Sequence, residues 1–171
     1  LITDQSGPIG VAGVMGGLST EITDSSSNVL IEAAWFEPVT IARTQRRHKL
    51  PSEASKRFSR GVDPLVAEAA AERAVGLLEL YAGGTRDSLG SRVIADSAGV
   101  MPQLFLALDA VAGLSGMDVS PERTREILSD IGADVVPGDG GYQVTPPSWR
   151  PDLVDAPGLV EEVARIVGYD T

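Results

Sequence analysis

Three sets of residues in this chain have chemistry to offer. Glu32 sits inside the apolar run Val29–Phe36, VLIEAAWF. An unpaired buried carboxylate is costly. Glu32 is therefore bonded to a polar group inside, faces a cavity, or lies at a strand edge and meets water. Next come Arg43, Arg46, Arg47, Lys49, Lys56, Arg57 and Arg60, seven of the chain's 14 basic residues. Glu53 is the one acid among them, so a local charge of +6 sits in a chain of net charge −10. An anion, an RNA backbone above all, would find one attractive patch on a repulsive surface. The competing reading is a solvated helix face. The third set is Asp152, Glu161 and Glu162, around the last helix. Acids near a helix start complement its dipole, and Glu162–Arg165 is an i,i+3 pair, so residues alone favour a structural role for them.

Other chemistries lack their parts. There is no cysteine, which rules out disulfides and thiolate metal sites within the chain and suits a reducing compartment. His48 is the single histidine, and no Ser–His arrangement stands at a supporting spacing. No catalytic side chain is assigned. Pro8–Gly17 holds four glycines in ten residues but no Gly-Lys-Ser/Thr and no GxGxxG before a helix. It reads as a tightly packed bend or, alternatively, a pocket wall.

The elements that must position these groups follow from patterning. Asn28–Phe36 reads as a buried strand, with Glu32 on one face with Leu30, Ala34 and Phe36. Pro38 starts a short helix running to about His48. Ser52–Ser55 reads as a small-residue turn. Asp63-Pro64 offers an N-cap and a first-turn proline for a helix to about Ala82, with a buried stripe of Val66, Ala70, Ala74, Leu77, Leu78 and Tyr81. Arg86–Ala98 reads as a polar linker. Then come a strand (Gln103–Leu108), a short helix (Asp109–Leu114) and a helix opened by Ser120-Pro121 and closed by Gly132. A hairpin is expected around Gly138–Gly141, and a last helix over Pro157–Val167. On that helix Leu159, Val160, Val163, Ile166 and Val167 face inward, and Glu161, Glu162 and Arg165 face out.

The fold class is therefore α+β, with domains at 1–90 and 91–171, the second winged-helix-like. An apolar fraction of 43% with 5% aromatics asks for a core of Ala, Val, Leu and Ile. No apolar run has membrane length and no signal peptide is visible. The chain begins at Leu1, and Pro8–Gly17 reads like the middle of a domain, so a piece of a longer protein is expected. From Met101 onward the only basic residues are Arg123, Arg125, Arg150 and Arg165. A DNA reader needs a basic face, so none is expected there.

Four stretches resemble the bacterial phenylalanyl-tRNA synthetase beta subunit, in that family's order. They are Gly10–Gly17 (GVAGVMGG), Val29–Phe36, Ser52–Asp63 (SEASKRFSRGVD), and Pro146–Asp152 (PPSWRPD) with Leu159–Asp170 (LVEEVARIVGYD). The resemblance implies the C-terminal part of a mixed α/β tRNA-editing domain, followed by the winged-helix-like domain. The implied activity is hydrolysis of tyrosine mischarged on phenylalanine tRNA, within an ATP-dependent ligase of two alpha and two beta subunits in the cytoplasm. In this reading Glu32 recognises the tyrosine hydroxyl, Gly16 lines the pocket, Ala54 keeps it open, and Ser52 stands where many relatives carry threonine. Arg46, Arg47, Arg57 and Arg60 would contact tRNA. Asp152, Glu161 and Glu162 match three Mg²⁺ ligands near the alpha subunit, while Gly158 replaces the usual aspartate. The family's editing histidine would lie upstream of Leu1, so the chain alone is expected to be inactive. ATP and phenylalanine activation belong mostly to the alpha subunit. The alternative is a non-catalytic RNA-binding or structural module. The editing reading requires Glu32 in a cleft beside the Ser52–Ala54 turn.

Overall fold

A computed structural model describes residues 1–88, 90–93 and 100–169. The chain divides into two units, Leu1–Ala98 and Gly99–Thr171. The linker expected over Arg86–Ala98 lies partly outside the described residues.

The first unit opens with a small antiparallel meander, β1 (Ile2–Asp4), β2 (Gly7–Val11) and β3 (Met15–Gly16), in the order β1-β2-β3. Two glycines allow the tight bend. Gly13 has φ +66, and a Cβ there would strike the Phe36 and Ile41 side chains. A Cβ on Gly17 would lie 2.5 Å from the Ile9 carbonyl oxygen, which accepts the Gly17 N–H at 2.8 Å. After a 3-10 turn at Leu18–Thr20 the chain runs without regular structure to Glu37. The strand expected over Asn28–Phe36 is not formed. A strand needs neighbours for its N–H and C=O groups, and the sheet here ends at β3.

Helix α1 (Pro38–His48) begins as expected, with Pro38 at its first position. Its cap is Glu37, whose carboxylate accepts the N–H groups of Val39 and Thr40 at 2.9 and 2.7 Å. Lys49 ends it with φ 54. The stretch Ser52–Ser55 is not a bare turn but the start of α2 (Glu53–Ser59), capped by Ser52. Helix α3 (Ala67–Ala82) starts later than Asp63-Pro64 suggests. Asp63 instead closes a preceding turn, accepting Leu65 N–H on its side chain and Val66 N–H on its carbonyl. The stripe assigned to α3 is corrected as well. No residue of α3 is buried, and Val66, Ala70, Leu78 and Tyr81 are exposed. Among the described residues of this unit, Val14, Ile41 and Ser55 are buried, and Phe36 and Phe58 meet edge to face at 4.9 Å.

The second unit runs β4 (Leu104–Ala107), α4 (Ala110–Ser115), α5 (Pro121–Asp130), β5 (Asp134–Gly138), β6 (Gly141–Thr145) and α6 (Ala156–Val167). The sheet is antiparallel in the order β4-β6-β5. Central β6 is shielded on both sides, and Pro137 falls on an edge strand, where a missing N–H is tolerated. Ser120 caps α5 by accepting Arg123 N–H, and Asp155 caps α6 by accepting Gly158 N–H at 2.9 Å. Leu106, Ile127, Leu128, Val144, Leu159 and Val163 fill the core at 1% exposure or less. The Tyr142 hydroxyl donates to the Pro121 carbonyl at 3.0 Å, pinning the sheet to the start of α5. The helix–helix–hairpin–helix order expected from the sequence is present, and the strand expected over Gln103–Leu108 forms as β4 and joins the hairpin. The expected exposure of Glu162 is not: it is 4% exposed.

Candidate functional site

In the first unit the cations lie on α1, α2 and the connection between them. Arg43, Arg46, Arg47, Lys49, Lys56, Arg57 and Arg60 are all exposed. Lys56 pairs with Glu53 at 2.7 Å. Among the described residues none of the other six forms an ion pair, so their charge is free to meet an outside anion. A cleft of about 410 Å³ opens among them, lined by Gln45, Glu53, Lys56, Ser59 and Arg60. Apart from Glu53, its lining offers hydrogen-bond donors and positive charge.

Ser52 makes this surface rigid. Its Oγ donates to the Val14 carbonyl at 2.5 Å, tying α2 to the β2–β3 bend across 38 residues of sequence. The same Oγ accepts Ser55 N–H at 3.0 Å, and Ser55 Oγ accepts Ser52 N–H at 3.0 Å. Ser55 Oγ in turn donates to the Ser52 carbonyl at 2.9 Å and is fully buried. The hydroxyl of Ser52 is thus committed to structure in this chain.

The four residues assigned to an editing pocket divide. Ser52 is joined through Val14 to the bend that carries Gly16. Gly16 and Ala54 are both exposed, and a side chain on Gly16 would meet open space. Glu32 is exposed in the irregular stretch, with no hydrogen-bond or ion-pair partner among the described residues. Its neighbour Leu30 is 93% exposed. Glu32 meets water, but from an irregular stretch rather than from a strand edge, so the described residues do not by themselves hold it in the cleft that the editing reading requires.

In the second unit the three carboxylates also divide. Arg150 lies in the loop between β6 and α6. Its Nε and Nη2 donate to Asp152 at 2.9 and 2.7 Å, and Nη2 also reaches Glu162 Oε1 at 2.8 Å. Arg165 holds the other oxygen, Oε2, at 2.5 Å. Glu161 faces solvent and accepts the Tyr169 hydroxyl at 2.8 Å. Hydrogen bonds from Arg150 and then Arg165 hold the Glu162 carboxyl down at about 2. Arg150 also lowers Asp152, and the two acids raise Arg150. Among the described residues no three acids or histidines converge as metal ligands. A small dication needs convergent oxygens; those of Asp152 and Glu162 are taken by the Arg150 and Arg165 guanidinium groups and Glu161 points to Tyr169, so the residues present do not fit Mg²⁺.

Sequence reading missed Arg150 and the caps Glu37, Ser52 and Asp155. Signals existed: Arg150 stands two residues before Asp152, and Ser52 and Asp155 each precede a helix by one position.

Known families cover both units. Residues 1–83 match the B3/4 domain family, and residues 104–169 match the tRNA synthetase B5 domain family. The chain is 58% identical over 170 residues to the phenylalanine–tRNA ligase beta subunit of Leifsonia xyli, and 50% identical over 173 residues to that of Streptomyces avermitilis. With the beta subunit of Cutibacterium acnes it shares 44% identity over 170 residues. Each alignment takes in 99% of this chain and 20% of the relative. The chain spans about a fifth of the length of these relatives. It belongs to the phenylalanine–tRNA ligase beta subunit family, of which it carries a B3/4 segment followed by a B5 domain.

Proposed function

We propose that this chain is the part of a phenylalanine–tRNA ligase beta subunit that presents α1 and α2 to tRNA and contributes one wall of a hydrolytic editing site. The exposed and almost unpaired cationic face of α1 and α2 carries this reading. Phosphates would be met by Arg46, Arg47, Arg57 and Arg60, and the Ser52 tie keeps that face in register with the β2–β3 bend.

The editing role has a physical logic. An apolar synthetic site rejects an analogue that merely adds a hydroxyl by only ~10². A second site that hydrogen-bonds the phenol does better, because phenylalanine would leave its polar group unpaired. Glu32 serves as that group once it is covered. Val29 and Leu30 beside it are 48 and 93% exposed, so an apolar layer laid on this stretch would also cover the segment that carries Glu32. Gly16 and Ala54 leave room for a ring, and Ser52 shapes the wall from behind. Hydrolysis then falls to a positioned water, with the protein supplying orientation. Assembly with the alpha subunit in a complex of two alpha and two beta chains belongs to the same proposal. So do activation with ATP and Mg²⁺ in the whole enzyme and a place in the cytoplasm. The second unit, acidic and internally neutralised at Glu162, suits packing against protein.

The experiment uses the assembled enzyme. Arg46→Glu, Arg47→Glu and Arg57→Glu together should weaken binding of phenylalanine tRNA and flatten its salt dependence. The log–log slope should shrink by roughly 0.7–0.9 for each phosphate that is no longer neutralised. Unchanged binding and slope would remove the tRNA-facing role. Glu32→Ala should slow deacylation of tyrosyl-tRNA with little effect on phenylalanine charging. The 171-residue chain alone should not deacylate, and efficient turnover by it would overturn the idea that the site is shared with the rest of the subunit.

A further inference from the structure

We propose that Arg150 is the resident cation of the second unit, occupying by its guanidinium the place that the family resemblance gives to a divalent ion, and that it holds the Pro147–Asp152 loop onto α6. Arg150 grips Asp152 with two nitrogens, at 2.9 and 2.7 Å, and extends one of them to Glu162 at 2.8 Å. Such a planar fork matches carboxylate geometry in a way a point charge does not. Arg165 completes the set at 2.5 Å, so two cations balance two carboxylates. A dication added here would face two resident cations.

Access argues the same way. Mg²⁺ dehydrates reluctantly and usually keeps several waters, whereas Glu162 is 4% exposed. Glu161 does not help, because adjacent residues on a helix point about 100° apart, and its carboxylate is turned to Tyr169. The loop that Arg150 secures is short and folded on itself: Arg150 N–H donates to Pro147 carbonyl at 2.9 Å, and Leu153 N–H to Arg150 carbonyl at 3.2 Å. It delivers Leu153 to the core and sets the Trp149 ring over Gly132, where a Cβ would come within 2.6 Å of the ring. Arg150 is thus a positioning residue for the loop.

The test is a Mg²⁺ titration of the whole 171-residue chain, followed by NMR at the Trp149 indole and the amides of Asp152, Glu161 and Glu162. At constant ionic strength, millimolar Mg²⁺ should cause no saturable shift; saturable shifts at these amides would overturn the proposal. Arg150→Met should lower the melting midpoint of the second unit by roughly 10 °C and move the Trp149 indole resonance. Arg150→Lys, which keeps the charge and loses the fork, should recover only part of the midpoint. Full recovery by lysine, or no loss with methionine, would overturn the clamp. If Arg150→Met does not fold, the lysine variant and the wild-type titration still decide.

Discussion

Glu162 should make the second unit acid-sensitive by a calculable amount. Its carboxyl is held at about 2, against an ordinary value of 4.5. A group depressed in the folded state adds stability above its unfolded pKa and loses it as pH falls toward the folded value. The window therefore runs from about pH 4.5 down to about pH 2. Integrating the proton uptake between those values gives a loss of about 2 kcal/mol by pH 3, and about 3 kcal/mol at most. The Glu162 side chain is 5% exposed but its partner Arg165 is 47% exposed, so solvent screening trims this figure; Asp152 adds in the same direction, but its side chain is 59% exposed and carries a smaller weight. The perturbation is Glu162→Gln, which keeps the shape and removes the titrating charge. The assay is urea unfolding of the second unit at pH 6 and pH 3, for both proteins. Other acids contribute equally to both curves, so the difference isolates Glu162. At pH 6 the glutamine variant should be less stable by roughly 2 kcal/mol, because two arginines lose their shared anion. By pH 3 the two proteins should have nearly converged. Parallel profiles, with the gap undiminished at pH 3, would show that the arginines do not hold this carboxylate in its charged form.

Two further substitutions probe how the units are built. Ser52→Ala removes both the cap of α2 and the tie to Val14, and should cost roughly 1–3 kcal/mol in the first unit, whereas Ser52→Thr should be close to neutral; chemical denaturation of the pair checks this. Gly132→Ala places a Cβ at φ +95 and against the Trp149 ring, so the second unit should lose roughly 1–3 kcal/mol with a change in Trp149 fluorescence, and an unaltered midpoint would contradict the packing described.

The parts of this chain that sequence makes legible are those whose cause is local. Pro38 and Ser120-Pro121 start helices where expected, and Gly132 follows α5 in the left-handed region. The hairpin forms around Asp139 and Gly140, where Gly140 takes φ +71, and pairs Asp134–Gly138 with Gly141–Thr145. Polar character alone predicts exposure, and the helix geometry overrules it for Glu162. At about 100° per residue, it flanks Leu159 on the buried side of α6, while Glu161 lies opposite. A buried carboxylate there is tolerable only because Arg150 and Arg165 take both oxygens, and Arg150 arrives from twelve residues away, outside the reach of any helical periodicity.

The first unit shows the complementary failure. An apolar pattern states that a segment gains by leaving water; it does not state what will cover it. Leu30, Leu65, Leu80 and Tyr81 are 93, 65, 70 and 80% exposed, and α3 buries nothing. Apolar patterning thus favours a buried strand at Asn28–Phe36 and a buried stripe on α3 on correct energetic grounds, yet among the described residues only Phe36, packed on Phe58, finds a ring partner, and no residue of α3 is buried. The same reasoning bears on Glu32. A carboxylate set in an apolar run is costly only after the run is covered, so its exposure here and its proposed hydrogen bond to a phenol are two states of one segment, separated by whatever packs on Leu30. The cationic face of α1 and α2 differs in kind: it needs no cover to exist, and its seven charges are displayed whether or not the apolar surfaces find their neighbours. If the first unit acts on tRNA, binding should therefore depend on the cations before it depends on Glu32, and deacylation on both.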